Sequence, residues 1–175
     1  MVALDLMSLE HMATTMPGLT PSLAGVFAQA SAVCLEHNGH RPGVVLKVAG
    51  SHPTSFELSW PLTTPQINKS HNDLQEATER GATCIAIHLV NNLLGLSVLE
   101  RSRKGTGFDY WLGQPNQNTL FQNAKKLEVS GILRGDNGDI QQRLRLKQKQ
   151  VNRFNGINCC IVVVEFGCPL SHIAA

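Results

Sequence analysis

Two carboxylates in this 175-residue chain stand where carboxylates are costly. Asp109 lies between Phe108 and the pair Tyr110-Trp111, and Glu128 interrupts the apolar run Leu127-Glu128-Val129. A buried carboxylate without a partner is strongly penalised, so each must be paired with a cation or put to use. Their separation by nineteen positions suits two neighbouring strands joined by a loop. Lys126, two positions before Glu128, falls on the same strand face because side chains alternate. Just upstream, Glu100-Arg101-Ser102-Arg103-Lys104-Gly105-Thr106-Gly107 is basic, small and turn-like. Its backbone amides and cations could receive a phosphate, although it reads equally as a solvated hairpin turn. From Lys125 to Arg153 the chain carries a local excess of about five positive charges against a net charge of +2. Such a stretch is either a phosphate-attracting face or a solvated helix surface.

Other chemistries are excluded by what is missing. The seven histidines are scattered without ligand spacing, and no H-E-x-x-H, G-x-S-x-G or G-x-G-x-x-G run occurs. Cys34, Cys84, Cys159, Cys160 and Cys168 make no C-x-x-C pair, which argues against zinc and for small buried apolar residues. No apolar run approaches the roughly 20 residues of a spanning helix, so no membrane partner is expected. Residues 1–16 hold no Lys or Arg and no signal-peptide core, and the expected setting is cytoplasmic, with reduced thiols.

The patterning that must position these residues reads as one α/β domain over 20–175, with 1–19 a loose N-terminal segment outside it. Leu23, Val26, Phe27, Ala30, Val33 and Cys34 recur at helical spacing, with Thr20 as cap and Asn38-Gly39 as stop. Strands over 44–48 and 56–60 form a hairpin. A long helix is expected over 66–92, where Ala77, Gly81 and Ala82 permit close approach of another element. Strands follow over 96–101, 108–112 and 127–132, with a long connection over 113–118. A helix over 139–151, capped by Asp136 or Asn137, precedes a break at Gly156. The continuous apolar run over 159–166 suits a strand buried on both faces, with Glu165 at its exposed end. The fold class is thus α/β, a mixed central sheet flanked by helices, in which a helix and hairpin precede an αβββαβ core.

That core order, with Asp109 in Gly107-Phe108-Asp109-Tyr110-Trp111 and Glu128 in Leu127-Glu128-Val129-Ser130, resembles the PD-(D/E)xK nuclease superfamily over about 66–166. The resemblance implies acidic residues at one edge of the hairpin formed by the second and third core strands. It places Asp109 and Glu128 there as ligands of Mg²⁺, for which Mn²⁺ substitutes, and Glu79 of the first helix as an assisting ligand. Magnesium keeps several waters, so one or two carboxylates and a substrate phosphate can hold it. The superfamily's lysine, two positions after the acid, is here Ser130. Lys126 and Lys147 are the candidates to replace it in orienting water, with Gln150 assisting. Arg101, Arg103, Lys104, Lys125 and Gln150 are the expected contacts to the nucleic-acid backbone, which position substrate without specifying sequence.

The activity implied is metal-dependent phosphodiester cleavage of DNA. Ser130 equally admits a catalytically inactive nuclease-like module that binds protein or nucleic acid, as in a bacterial defence or toxin–immunity system. Phe108, Tyr110 and Trp111 would then serve a protein interface. A homodimer built through a sheet edge or the long helix is a third reading.

Overall fold

A computed structural model describes residues 1–114, 123–153 and 158–175. The sequence's expected breaks at 115–118 and at Gly156 lie outside the described residues. The first nineteen residues, expected outside the domain, are built into it. β1 (Val2–Asp5) pairs in parallel with the strand Thr54–Ser59, and α1 (Ser8–Ala13) follows directly. Leu4, Leu6, Leu9, Ala13, Met16 and Leu19 are all buried. Elements of four and six residues are too short for periodicity to announce them.

α2 (Pro21–His37) begins as expected: Thr20 Oγ1 accepts from the Leu23 amide and Pro21 opens the first turn. The hairpin comprises β2 (Val45–Gly50) and β3 (Thr54–Ser59). The long helix expected over 66–92 is two helices, α3 (Pro65–Ser70) and α4 (Leu74–Leu94), separated at His71, Asn72 and Asp73. Asp73 causes the break, because its carboxylate accepts from the Gln75 and Glu76 amides and so starts α4 afresh. Gly95, at φ +65, ends α4 in the left-handed conformation.

The remaining elements are β4 (Ser97–Arg101), β5 (Tyr110–Gly113), β6 (Lys125–Ile132), α5 (Asn137–Arg153), β7 (Cys159–Glu165) and β8 (Leu170–Ala174). The order from α4 to β7 is αβββαβ. Asp136 and Asp139 cap α5 reciprocally, each carboxylate accepting from the other's amide.

All eight strands form one mixed sheet in the order β1-β3-β2-β8-β7-β6-β5-β4. β4, β5 and β6 are antiparallel neighbours, and β6 runs parallel to β7 across the α5 connection. β7 is buried on both faces. Cys160, Val162 and Val164 join the large core beneath α1, α2 and α4, while Ile161 and Val163 meet Ile140 and Val151 of α5. β8 was not foreseen; its polar Ser171 is buried by donating to the Val163 carbonyl. Glu165 does not mark an exposed end. It is 1% exposed and accepts from the amides of Gly135, Gly167 and Cys168, which ties together the loops on either side of β7.

The small residues of α4 do allow close approach: a Cβ at Gly81 would lie 2.9 Å from the Ser31 amide nitrogen on α2. α4 presses on β6 just as closely, for a Cβ at Gly131 would sit 2.5 Å from the Thr78 carbonyl oxygen. Gly131→Ala is therefore expected to destabilise by about 1–3 kcal/mol, the usual range for overpacking against a fixed backbone. Urea unfolding checks this, and an unchanged midpoint would contradict the packing described.

Candidate active site at the fork of β5 and β6

β6 loses its partner halfway along. β5 pairs with Lys125, Lys126 and Leu127, and Asp109, immediately before β5, makes the last backbone contact by donating its amide to the Leu127 carbonyl at 2.7 Å. Beyond that point the Val129 amide would be an orphan donor. Asp109 Oδ2 accepts from it at 2.9 Å, so the carboxylate takes the place of the next strand carbonyl. The fork is thus held open by a side chain of the candidate pair.

Arg101 secures Asp109 from β4. Its Nη1 donates to Asp109 Oδ1 at 3.0 Å and to the Asp109 carbonyl at 2.8 Å, and its guanidinium lies 4.7 Å from the Tyr110 ring centroid. The sequence reading gave Arg101 to a nucleic-acid backbone; its partner in the structure is the carboxylate itself. The contact crosses a hairpin between residues eight apart, which no local spacing rule reveals.

Glu128 faces α5, on the side of the sheet opposite Leu127 and Val129. It is 3% exposed, and its Oε1 accepts from Lys147 Nζ at 2.5 Å and from Gln150 Nε2 at 3.4 Å. Gln150 Nε2 also donates to the Gly107 carbonyl at 3.3 Å, which joins α5 to the β4–β5 turn. Lys147 and Gln150 lie three residues apart on one helix face, so one turn of α5 delivers both groups. Lys147 is hydrogen-bonded to Glu128, and the Lys126 ammonium lies 5.5 Å from the Phe108 ring centroid.

The negative charge of Asp109 acts on the Glu128 carboxyl across the fork. Burial pushes the Glu128 pKa up to about 7, the negative charge of Asp109 pushes the same way, and Lys147 opposes both. Between the ordinary value of 4.5 and about 7 the folded chain therefore holds a proton that the unfolded chain has released. Stability accordingly falls as pH rises through that window. Glu128→Gln is expected to abolish this slope and to be more stable than the natural protein above pH 7, by up to about 3 kcal/mol. Urea unfolding at pH 5 and pH 8 checks the sign; equal effects at both would overturn it.

Asp109, Ser130 and Lys147 open onto a cleft of about 550 Å³, with Glu79 and Arg80 of α4 and Arg143 of α5 around it. Glu79 therefore reaches the same cleft as Asp109. Yet among the described residues no group of three or more His, Cys, Asp or Glu side chains is gathered as a metal-binding set, so the expected three-acid arrangement is not present. The donor chemistry of the remaining pair does suit a hard divalent cation. Two crowded carboxylates, one already protonating near neutrality, lose their mutual repulsion when a cation lies between them, and magnesium retains water on its other positions.

The other expected contacts are dispersed. Arg103 and Lys104 are exposed on the β4–β5 turn. Lys125, by strand alternation, lies on the sheet face away from Glu128, against the expectation that it shares the site. Sequence reasoning missed Arg80 and Arg143, although both follow the helical spacing of α4 and α5 and could have been found by it. Compared with known proteins, the chain matches no family model, no curated protein and no solved structure.

Proposed function

We propose that the protein is a PD-(D/E)xK-like nuclease that hydrolyses phosphodiester bonds of DNA with Mg²⁺, for which Mn²⁺ substitutes. The observation that carries this reading is the ammonium of Lys147 on Glu128, beside Asp109, where Ser130 leaves the motif without its lysine. Asp109 and Glu128 would hold the metal, with Glu79 reaching the cleft from α4. The bound ion would supply a water of lowered pKa and neutralise charge building on the phosphate. Glu128 would act there as an ionised ligand, its Oε1 already accepting from Lys147 and Gln150. Lys147 holds that carboxylate in place and offers positive charge to the phosphoryl oxygens. Arg143, Arg103 and Lys104 extend the positive surface along which a backbone can lie.

Among the described residues no helix is long and apolar enough to cross a membrane, and all five cysteines are free thiols. A cytoplasmic setting is part of this proposal, in keeping with the free thiols. The test is direct: supercoiled plasmid incubated with the purified chain is nicked or linearised in Mg²⁺ or Mn²⁺ and stays intact in chelator. No cleavage under any divalent ion would remove the reading.

One observation favours a second reading, a non-catalytic module that binds DNA or a protein partner. Arg101 and Lys147 already neutralise both carboxylates, as a purely structural cluster would require. Retention of DNA or a partner protein without metal-dependent turnover would select it.

A further inference from the structure

A second cleft, of about 490 Å³, lies where α3 breaks from α4 against the C-terminal end of α2. It shares no lining residue with the cleft at Asp109. The break that Asp73 imposes puts His71 and Asn72 in its lining together with Asn68 of α3. His71 is 7% exposed, and among the described residues its ring makes no hydrogen bond. The His88 ring meets the Leu6 carbonyl and the His40 ring that of Gly167, whereas Nδ1 of His52 and of His172 is buried without a partner among the described residues. The His71 nitrogens are also not sealed from solvent, as Nδ1 of His52 and of His172 are, so the ring opens into the cleft.

The rest of the lining decides what chemistry fits. Among the described residues Glu36 is the carboxylate that lines it, and its oxygens are occupied by Trp60 Nε1, the Thr63 amide and Thr63 Oγ1. Asn68 and Asn72 each carry a paired donor and acceptor, the pattern that matches the hydrogen-bonding edge of a base. Leu74 and the edge of the largely buried Val33 give the lining its apolar part, and the exposed Arg41, whose charge acts on Glu36, gives it a cation. A guanidinium there can meet a phosphate.

We infer that this cleft is a binding site for a single nucleotide, which holds the base between His71 and the carboxamides of Asn68 and Asn72 and the phosphate at Arg41. Burial and the nearby charge of Arg80 lower the His71 pKa below its ordinary value, with Glu76 opposing them, and a neutral imidazole carries one donor and one acceptor for a base. The volume lies within the range of small-ligand sites, roughly 300–1,000 Å³. The nucleotide could be free or an unpaired residue of a nucleic-acid strand, and the recognition chemistry is the same. This inference stands apart from the nuclease reading, since it uses none of the residues at the fork.

The test is a titration of the full chain with each of the four deoxynucleoside 5′-monophosphates, followed by NMR of the His71 ring protons and the side-chain amides of Asn68 and Asn72. Saturable shifts with Kd below about 1 mM are expected for at least one nucleotide. Asn72→Ala is expected to weaken that binding about tenfold or more, as loss of a bidentate amide contact does. Inorganic phosphate alone should leave the His71 ring unmoved. A single-stranded oligonucleotide that shifts the same resonances while free nucleotides do not would identify the strand as the source. Absence of shifts with every nucleotide and oligonucleotide would overturn the inference, and so would phosphate reproducing the full effect. The readout is made on the natural chain, so it does not depend on a variant folding or on any cleavage.

Discussion

Asp109→Asn is expected to lower metal-dependent cleavage of DNA by about 10²–10³-fold or more while the protein stays folded. The variant isolates charge from shape. An asparagine oxygen can still accept from the Val129 amide, and Arg101 can still donate to the carbonyl of residue 109, so the fork keeps its hydrogen bonds. The exposed part of the Arg101 ion pair contributes little, about 0–1 kcal/mol, and the unfolding midpoint should move only slightly. A second consequence needs no DNA. Removing the Asp109 charge withdraws one of the influences that raise Glu128, so its pKa should fall below about 7. Carbon-detected titration of the Glu128 carboxyl checks this. A Glu128 titration that does not move would mean that the two carboxyls do not share a site.

Lys147→Met should have the larger effect on stability and a comparable one on activity. Glu128 is almost fully buried, and Lys147 is its cationic partner. Removing one side of a buried pair costs about 3–5 kcal/mol when the remaining charge cannot escape. Here the carboxyl can escape by protonating. The Glu128 pKa should rise beyond about 7, because the influence that opposed burial and Asp109 is gone. The folded pKa is raised, so the variant should be least impaired at acid pH and lose stability as pH climbs toward the new value. Adding Glu128→Gln should recover most of the loss at pH 8. Cleavage by Lys147→Met should fall about 10²–10³-fold, the range for a lost electrostatic stabiliser of the developing charge. Activity equal to that of the natural protein would return the role to Lys126 or leave the site without a lysine.

Much of this was legible in the residues. Asp109 and Glu128 stood out because a carboxylate in an apolar strand must be paired or used, and both are indeed paired. The αβββαβ order was legible because its helices are amphipathic and its strands are bounded by glycine. α2 was legible from Thr20, Pro21 and Asn38. The choice between Lys126 and Lys147 was not, since strand alternation favours the first and only the docking of α5 on β6 brings in the second. The break before α4 turned on one capping carboxylate, Asp73, within a stretch of good helical spacing. β1, α1 and β8 are four to six residues long, too short for a periodic pattern to stand out from its surroundings. Glu165 misled because its burial depends on three amides from loops that only the tertiary fold brings together.

The central claim is that Asp109 and Glu128 form one cation site. It is tested most directly by the anomalous scattering of crystals soaked in Mn²⁺ at pH 8, where Glu128 is ionised. The account predicts a single strong peak between the two carboxylates, absent in Asp109→Asn crystals. Manganese bound elsewhere, or no peak at the fork at saturating metal, would contradict it.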